Sequence, residues 1–207
     1  MSQSQHNQET SPSGHTSPAS PEHTHLISEG ELCLDLINSI HFDYRGKKAP
    51  QDHLEHPAWV QEFSQHWHLP VTAPPDTFAL VSLRTLRALL RHMVETADQP
   101  PSDTQITELN SFLALTPMLQ QVQRTDTGMR LQIVPLQTGW TAVLTQIAAS
   151  WADLLTRTPS VHVKICANPA CHWVFVDQSH NQSRRWCRQW ACGNLMKVRQ
   201  FRAQRSL

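Results

Sequence analysis

Four of the five cysteines in this 207-residue chain fall within 27 residues, as Cys166-x4-Cys171-x15-Cys187-x4-Cys192. Two Cys-x4-Cys pairs bring two sulfurs from each side, which suits the four soft ligands of a tetrahedral zinc ion. Four protein ligands close the coordination sphere and leave no position for a catalytic water. The site is therefore expected to be structural, one Zn2+ held by Cys166, Cys171, Cys187 and Cys192. The competing reading is two disulfides, which a reducing compartment disfavours. His162, His172 and His180 are near enough in sequence to rival the thiols, but exchanging one Cys for a His orphans its partner. Cys33 stands alone among Leu32, Leu34 and Leu36 and reads as a small core residue.

The second constellation is electrostatic. The formal net charge is zero, yet residues 160–207 hold eight basic side chains against the single acid Asp177, leaving nine basic and sixteen acidic for the rest. Such segregation points to a polyanion-binding end; a basic tail docked on its own acidic body is the plainer alternative. A zinc ion with four thiolates adds a net −2, so the folded tail remains about +5. Arg184, Arg185, Arg188, Lys197, Arg199, Arg202 and Arg205 form the candidate DNA-contact set. Arg184 and Arg188 share a helical face at i, i+4. The cations of the last helix cover an arc that also holds Val198 and Phe201, which suits phosphate contacts better than base reading. Trp173, Trp186 and Trp190 are expected to form a miniature core around the zinc, with stacking on unpaired bases as the other use of such rings.

A third candidate lies in the body. Asp35 and Asn38 sit inside the apolar run 29–40, and Arg84, Arg87 and Arg91 line one helix face at i, i+3, i+7. Together they describe either a ligand pocket or a buried ion pair between Asp35 and one of the arginines, and the ion pair is the expectation. No nucleophile–base pair, Gly-rich phosphate loop or open metal site accompanies them, so the chain is not expected to be an enzyme.

These groups need elements to position them. Residues 1–24 are Ser, Thr, Pro, His and Gln-rich and are expected to be a disordered tail. A body over 25–158 follows, mainly α with a β-hairpin. Its first element is a short helix around Glu29–Ile40, followed by a loop over 41–56 and a helix opened by Pro57 and running to about His68. After Pro74-Pro75, Asp76 suits the N-cap of a long helix whose repeat runs Phe78, Val81, Leu86, Leu89, Leu90, Met93, Ala97. A third long helix runs from Ser102 to about Leu115, burying Ile106, Leu109, Phe112 and Leu113. Period-two alternation either side of Thr125–Gly128 predicts a hairpin, and Trp140–Leu155 returns to helix. Pro159 marks the boundary to 159–207, a small four-cysteine unit of a hairpin plus helices over Arg184–Trp190 and Gly193 to about Gln204. No apolar run approaches the roughly 20 residues of a membrane span, and the N-terminus lacks a secretory pattern. A cytoplasmic protein with no membrane partner is expected.

The stretch 166–205 resembles the CGNR zinc finger. Its marks are the paired cysteines, Phe175-Val176-Asp177-Gln178-Ser179-His180-Asn181, Arg184-Arg185-Trp186-Cys187 and Cys192-Gly193-Asn194 before a basic helix. The eponymous Arg is replaced by Leu195. The body, with Leu34-Asp35-Leu36-Ile37-Asn38-Ser39 near its start, resembles the ABATE domain that accompanies this finger. The resemblance implies a bacterial, stress-related transcription regulator that binds double-stranded DNA. A zinc-stabilised protein-interaction or RNA-binding module is the alternative. A homodimer is compatible with the sequence, and no small-molecule effector is specified by it.

Overall fold

The computed structural model describes residues 30–157 and 162–205. The expected disordered tail over 1–24 and the boundary at Pro159 lie outside these residues. No helix among them is long and apolar enough to cross a membrane.

Helix α1 (Leu32–Ile37) is short and has every residue buried. An isolated six-residue helix is marginal in water, so α1 exists because other elements cover it on all sides. A short ribbon follows, β1 (Ile40–His41) against β2 (Gln51–Asp52), with Ile40 facing Asp52 and His41 facing Gln51. The segment expected to be loop thus carries an antiparallel pair and a 3-10 turn over His53–Glu55. The His53 N–H donates to Ser39 O at 2.8 Å and Arg87 grips Asp52, which pins the far end of the loop. Helix α2 (Pro57–His66) opens on Pro57, as expected.

Helix α3 (Thr77–Glu95) starts at Asp76, whose carboxylate accepts the Ala79 N–H at 2.7 Å. Its buried stripe runs through Ala79, Leu83, Leu86, Leu90 and Met93, while Phe78 and Val81, expected in the stripe, are exposed. Val81 lies nearly opposite Leu86 at 100° per residue, and Phe78 sits in the first turn at the stripe's edge. Ala97 falls beyond the helix. Helix α4 (Asp103–Leu113) is held at its start by reciprocal Ser102–Gln105 capping. It buries Leu109 and Phe112 but leaves Ile106 exposed and Leu113 only partly covered. Strands β3 (Met118–Thr125) and β4 (Gly128–Pro135) form the expected hairpin, Thr125 facing Gly128 across a two-residue turn. Helix α5 (Trp140–Thr156) lies against α1, α3 and α4 and buries Val143, Leu144, Ile147, Ala148, Trp151 and Leu154.

The C-terminal part contains β5 (His162–Ile165) paired with β6 (Val174–Asp177), then a π-helical turn (Gln189–Gly193) and α6 (Asn194–Arg205). The described residues thus hold six α-helices and three two-stranded sheets. The expected helix over Arg184–Trp190 is absent; residues 183–188 have no helical structure before the π-turn at Gln189. Strand β6 lies between two apolar clusters. Val174 and Val176 join the body's core, with Val163 and Ile165 of β5 beside them, while Phe175 joins the four cysteines, Tyr44, Trp173 and Trp186. Period-two alternation thus gives one strand a role in both cores.

Candidate metal centre and nucleic-acid interface

The hairpin β5–β6 delivers the first cysteine pair. Cys166 follows β5, Cys171 precedes β6, and the Cys166 N–H donates to Trp173 O at 2.8 Å, extending the ladder into the knuckle. Cys187 arrives from the extended segment, anchored by the Ala167 N–H donating to Arg185 O at 2.9 Å. Cys192 lies in the π-turn. All four are buried, none is in a disulfide, and one ligand atom from each lies within 4.8 Å of the others. The Cys171–Cys187 and Cys187–Cys192 sulfur separations are 3.6 and 3.7 Å. A tetrahedral ion with Zn–S near 2.3 Å sets its sulfurs about 3.8 Å apart, so the set fits one zinc.

The electrostatics point the same way. Contact with its neighbours, Cys171 first, pulls the Cys166 thiol down, while contact with Cys166 drives Cys171 and Cys187 up. Four adjacent sulfurs cannot all ionise without a cation between them. Backbone and side-chain donors already face the sulfurs: the Cys187 N–H to Cys166 Sγ at 3.5 Å and Asn168 Nδ2 to Cys192 Sγ at 3.4 Å. Such outer donors orient metal ligands. Cys33 contrasts with them. Burial pushes its thiol up to about 12, as suits an inert core residue.

Asp177 organises the rest of the finger. Its fully buried carboxylate accepts from Lys164 Nζ at 2.6 Å, from Ser179 Oγ and N–H at 2.6 and 3.0 Å, and from the Arg184 N–H at 3.0 Å. Burial opposes its ionisation, but the Lys164 ammonium and the Ser179 donors outweigh it and hold the carboxyl well below the usual range. Lys164 is thereby neutralised within the fold.

The expected DNA-contact residues divide into two kinds. Arg184 faces inward: its guanidinium lies 4.3 Å from the Phe175 ring centroid and donates to Trp186 O at 3.1 Å, Val176 O at 3.3 Å and Cys187 O. It braces the segment that carries Cys187. Arg185, Lys197, Arg199, Arg202 and Arg205 are exposed and Arg188 is half-buried. Without the expected helix, Arg184 and Arg188 share no helical face. Trp173 and Trp186 pack on the cysteines as expected, but Trp190 is 62% exposed, with the Arg188 guanidinium 5.6 Å from its ring. Leu195, at the family's Arg position, is half-buried in the first turn of α6.

The residues of the body group reach partners on several elements. Asp35 is buried and accepts the Trp67 indole N–H at 2.8 Å. Arg87 gives its guanidinium to Asp52, at 2.6 and 2.7 Å, and to Ser39 Oγ at 2.7 Å. Arg84 lies 3.4 Å from both Asp52 and Glu55. Arg91 bonds Glu95 at 2.8 Å and His172 O of the finger at 2.6 Å. The row therefore splits into three separate anchors. Asn38 is the second tie to the finger: its amide donates to Val174 O and accepts the Val174 N–H, both at 2.8 Å. Sequence reasoning does not reach Asp52, Trp67 or Asn168. Asp52 sits in a stretch that reads as loop, and Asn168 lies inside a Cys-x4-Cys pair whose cysteines draw the eye.

Comparison with known families gives two matches. Residues 30–158 match ABATE, described as "Putative stress-induced transcription regulator", and residues 162–205 match the CGNR zinc finger. No curated protein matches the chain.

Proposed function

The chain belongs to the ABATE family with a CGNR zinc finger behind it, and from that premise we propose a cytoplasmic DNA-binding transcription regulator whose zinc holds a basic module against duplex phosphates. One observation carries this reading. Arg185, Arg188, Lys197, Arg199 and Arg205 form no ion pair among the described residues, on a frame fixed by four cysteines. Zinc, when bound, supplies cross-linking and charge compensation to the thiolates. The residues do the rest: Arg184 and Asp177 hold the backbone in place, and the outer cations meet phosphate. The role is binding rather than catalysis, because a set of four thiolates leaves no ligand position for a reacting water.

Fluorescence anisotropy of the zinc-loaded full chain on a labelled duplex tests it. Five phosphate contacts from the finger contribute about −4.5 to the slope of log affinity against log salt. Arg185→Ala should flatten that slope by about 0.9 and weaken binding to all sequences alike. The exposed Trp190 beside Arg188 favours a second reading, stacking on single-stranded RNA. Tighter binding to single-stranded RNA than to duplex, lost in Trp190→Ala, would put that reading first.

A further inference from the structure

The finger is not the only basic surface on this face of the molecule. Residues 43–48, in the acidic body, read Asp-Tyr-Arg-Gly-Lys-Lys. Their conformation is built. The Asp43 carboxylate accepts the backbone N–H groups of Arg45, Lys47 and Lys48 at 3.0, 2.9 and 3.2 Å, and Asp43 O accepts from Gly46 N at 2.7 Å. Gly46 has φ +73, a left-handed conformation that a side chain would strain. The one acid of the loop is thus turned onto the loop's own backbone, while Arg45, Lys47 and Lys48 are exposed. The Arg45 guanidinium rests near Tyr44, 5.4 Å from the ring centroid.

The loop is also docked on the finger. Tyr44 O accepts from Asn168 Nδ2 at 2.8 Å, and Arg45 O accepts from Arg199 Nη2 at 2.8 Å. The Phe42 ring centroid lies 4.5 Å from that of His172, and a Cβ on Gly46 would sit 3.4 Å from the Ala170 Cβ. The loop that carries these three body cations is therefore held on the finger by its backbone, with Arg45 O bonded to Arg199 of α6. None of them forms an ion pair among the described residues. Like charges held side by side repel unless a counter-charge arrives, and a phosphate chain supplies one repeatedly along its length.

We propose that the loop over residues 43–48 and helix α6 form one continuous phosphate-binding surface, so that the ABATE body itself contacts the duplex. This rests on the DNA-binding reading above and adds the body's share. Arg45, Lys47 and Lys48 are the body's contacts; Arg199 has two jobs, tying the loop down and presenting charge next to it.

The test uses the zinc-loaded full chain and a labelled duplex of mixed sequence, with affinity measured from about 50 to 200 mM salt. K47A/K48A should flatten the salt slope by about 1.8, which makes its loss of affinity over that range about tenfold smaller than the wild type's. K47E/K48E should weaken binding further at every salt concentration. R130A, on strand β4, should leave the slope unchanged. If both lysine pairs bind with the wild-type slope while R185A flattens it, the composite surface is wrong and the finger reading stands. If the wild type binds no duplex at 50 mM salt, both fall.

Discussion

The two longer hairpins are opposite solutions to one problem. Strands β3 and β4 are eight residues each and make the longest ladder among the described residues, yet Val122 is 68% and Leu131 61% exposed on one face. Strands β5 and β6 are four residues each, and every residue of β6 is buried. Strands β4 and β5 alternate apolar and polar residues, whereas β6 is apolar on both faces through Val174, Phe175 and Val176. Alternation therefore states that a segment can be a strand, and the surrounding elements decide what it is worth. A lone two-stranded hairpin is marginal in water. The short one is stable because β6 lies between two cores and is tied by Asn38, Asp177 and a zinc site. Body and finger share that strand, so the boundary between them in sequence is not a gap in packing.

The largest effect should come from the metal. Cys187→Ser should release the zinc, a loss on the order of 10 kcal/mol in finger peptides, read by metal analysis as one ion falling to none. Because Val174 and Val176 belong to the body's core, the body's melting temperature should fall as well. A body that melts unchanged would break the shared-strand account. Asn38→Ala should cost about 2–4 kcal/mol in denaturant unfolding, since it strands a buried N–H and C=O of Val174 at once.

Between the extremes lies the ribbon β1–β2, part-buried and held by Arg87. Asp52→Asn should cost about 1–3 kcal/mol near neutral pH. Burial opposes the Asp52 charge, but Arg87 outweighs it and the carboxyl sits below its ordinary value. A depressed native value means the contribution is complete above about pH 3.9 and is lost as pH falls below it. The stability difference between wild type and variant should shrink over that range; a difference that grows with acid would reverse the assignment. Smallest of all, Leu131→Gln should change stability by less than about 0.5 kcal/mol. A larger loss in a calorimetric scan would mean that something covers that face in solution.

Much of this architecture is legible in the sequence because it is local. The cysteine spacing, the Asp76 and Ser102 caps, the turn before Gly128 and the Pro57 helix start all act within a few residues. What escapes is long-range or many-partnered. Asn38 and Val174 are 136 residues apart, and nothing in either neighbourhood announces the other. Arg184 carries the same charge as Arg185 one residue later, but three carbonyls and the Phe175 ring turn it inward. Trp190 has the same ring as Trp186 but follows the π-turn outward. The basic loop at 43–48 is hidden when charge is counted over whole halves, where sixteen acids mask three neighbouring cations. The arginine row looks like one site because helical spacing aligns Cα positions, whereas long side chains reach separate partners.

In a two-stranded sheet each strand keeps one unpaired edge, and an open edge of this kind invites another chain to pair. Here side chains take the place of a neighbouring strand. The Asn38 amide occupies both the N–H and the C=O of Val174, and Arg184 takes Val176 O. Three of the outward backbone groups of β6 are thereby occupied by side chains, beside helix α1 packed on the same strand. An asparagine that joins two halves of the molecule therefore also serves as the missing neighbour of a strand edge, and its removal leaves that edge unfilled as well as loosening a joint.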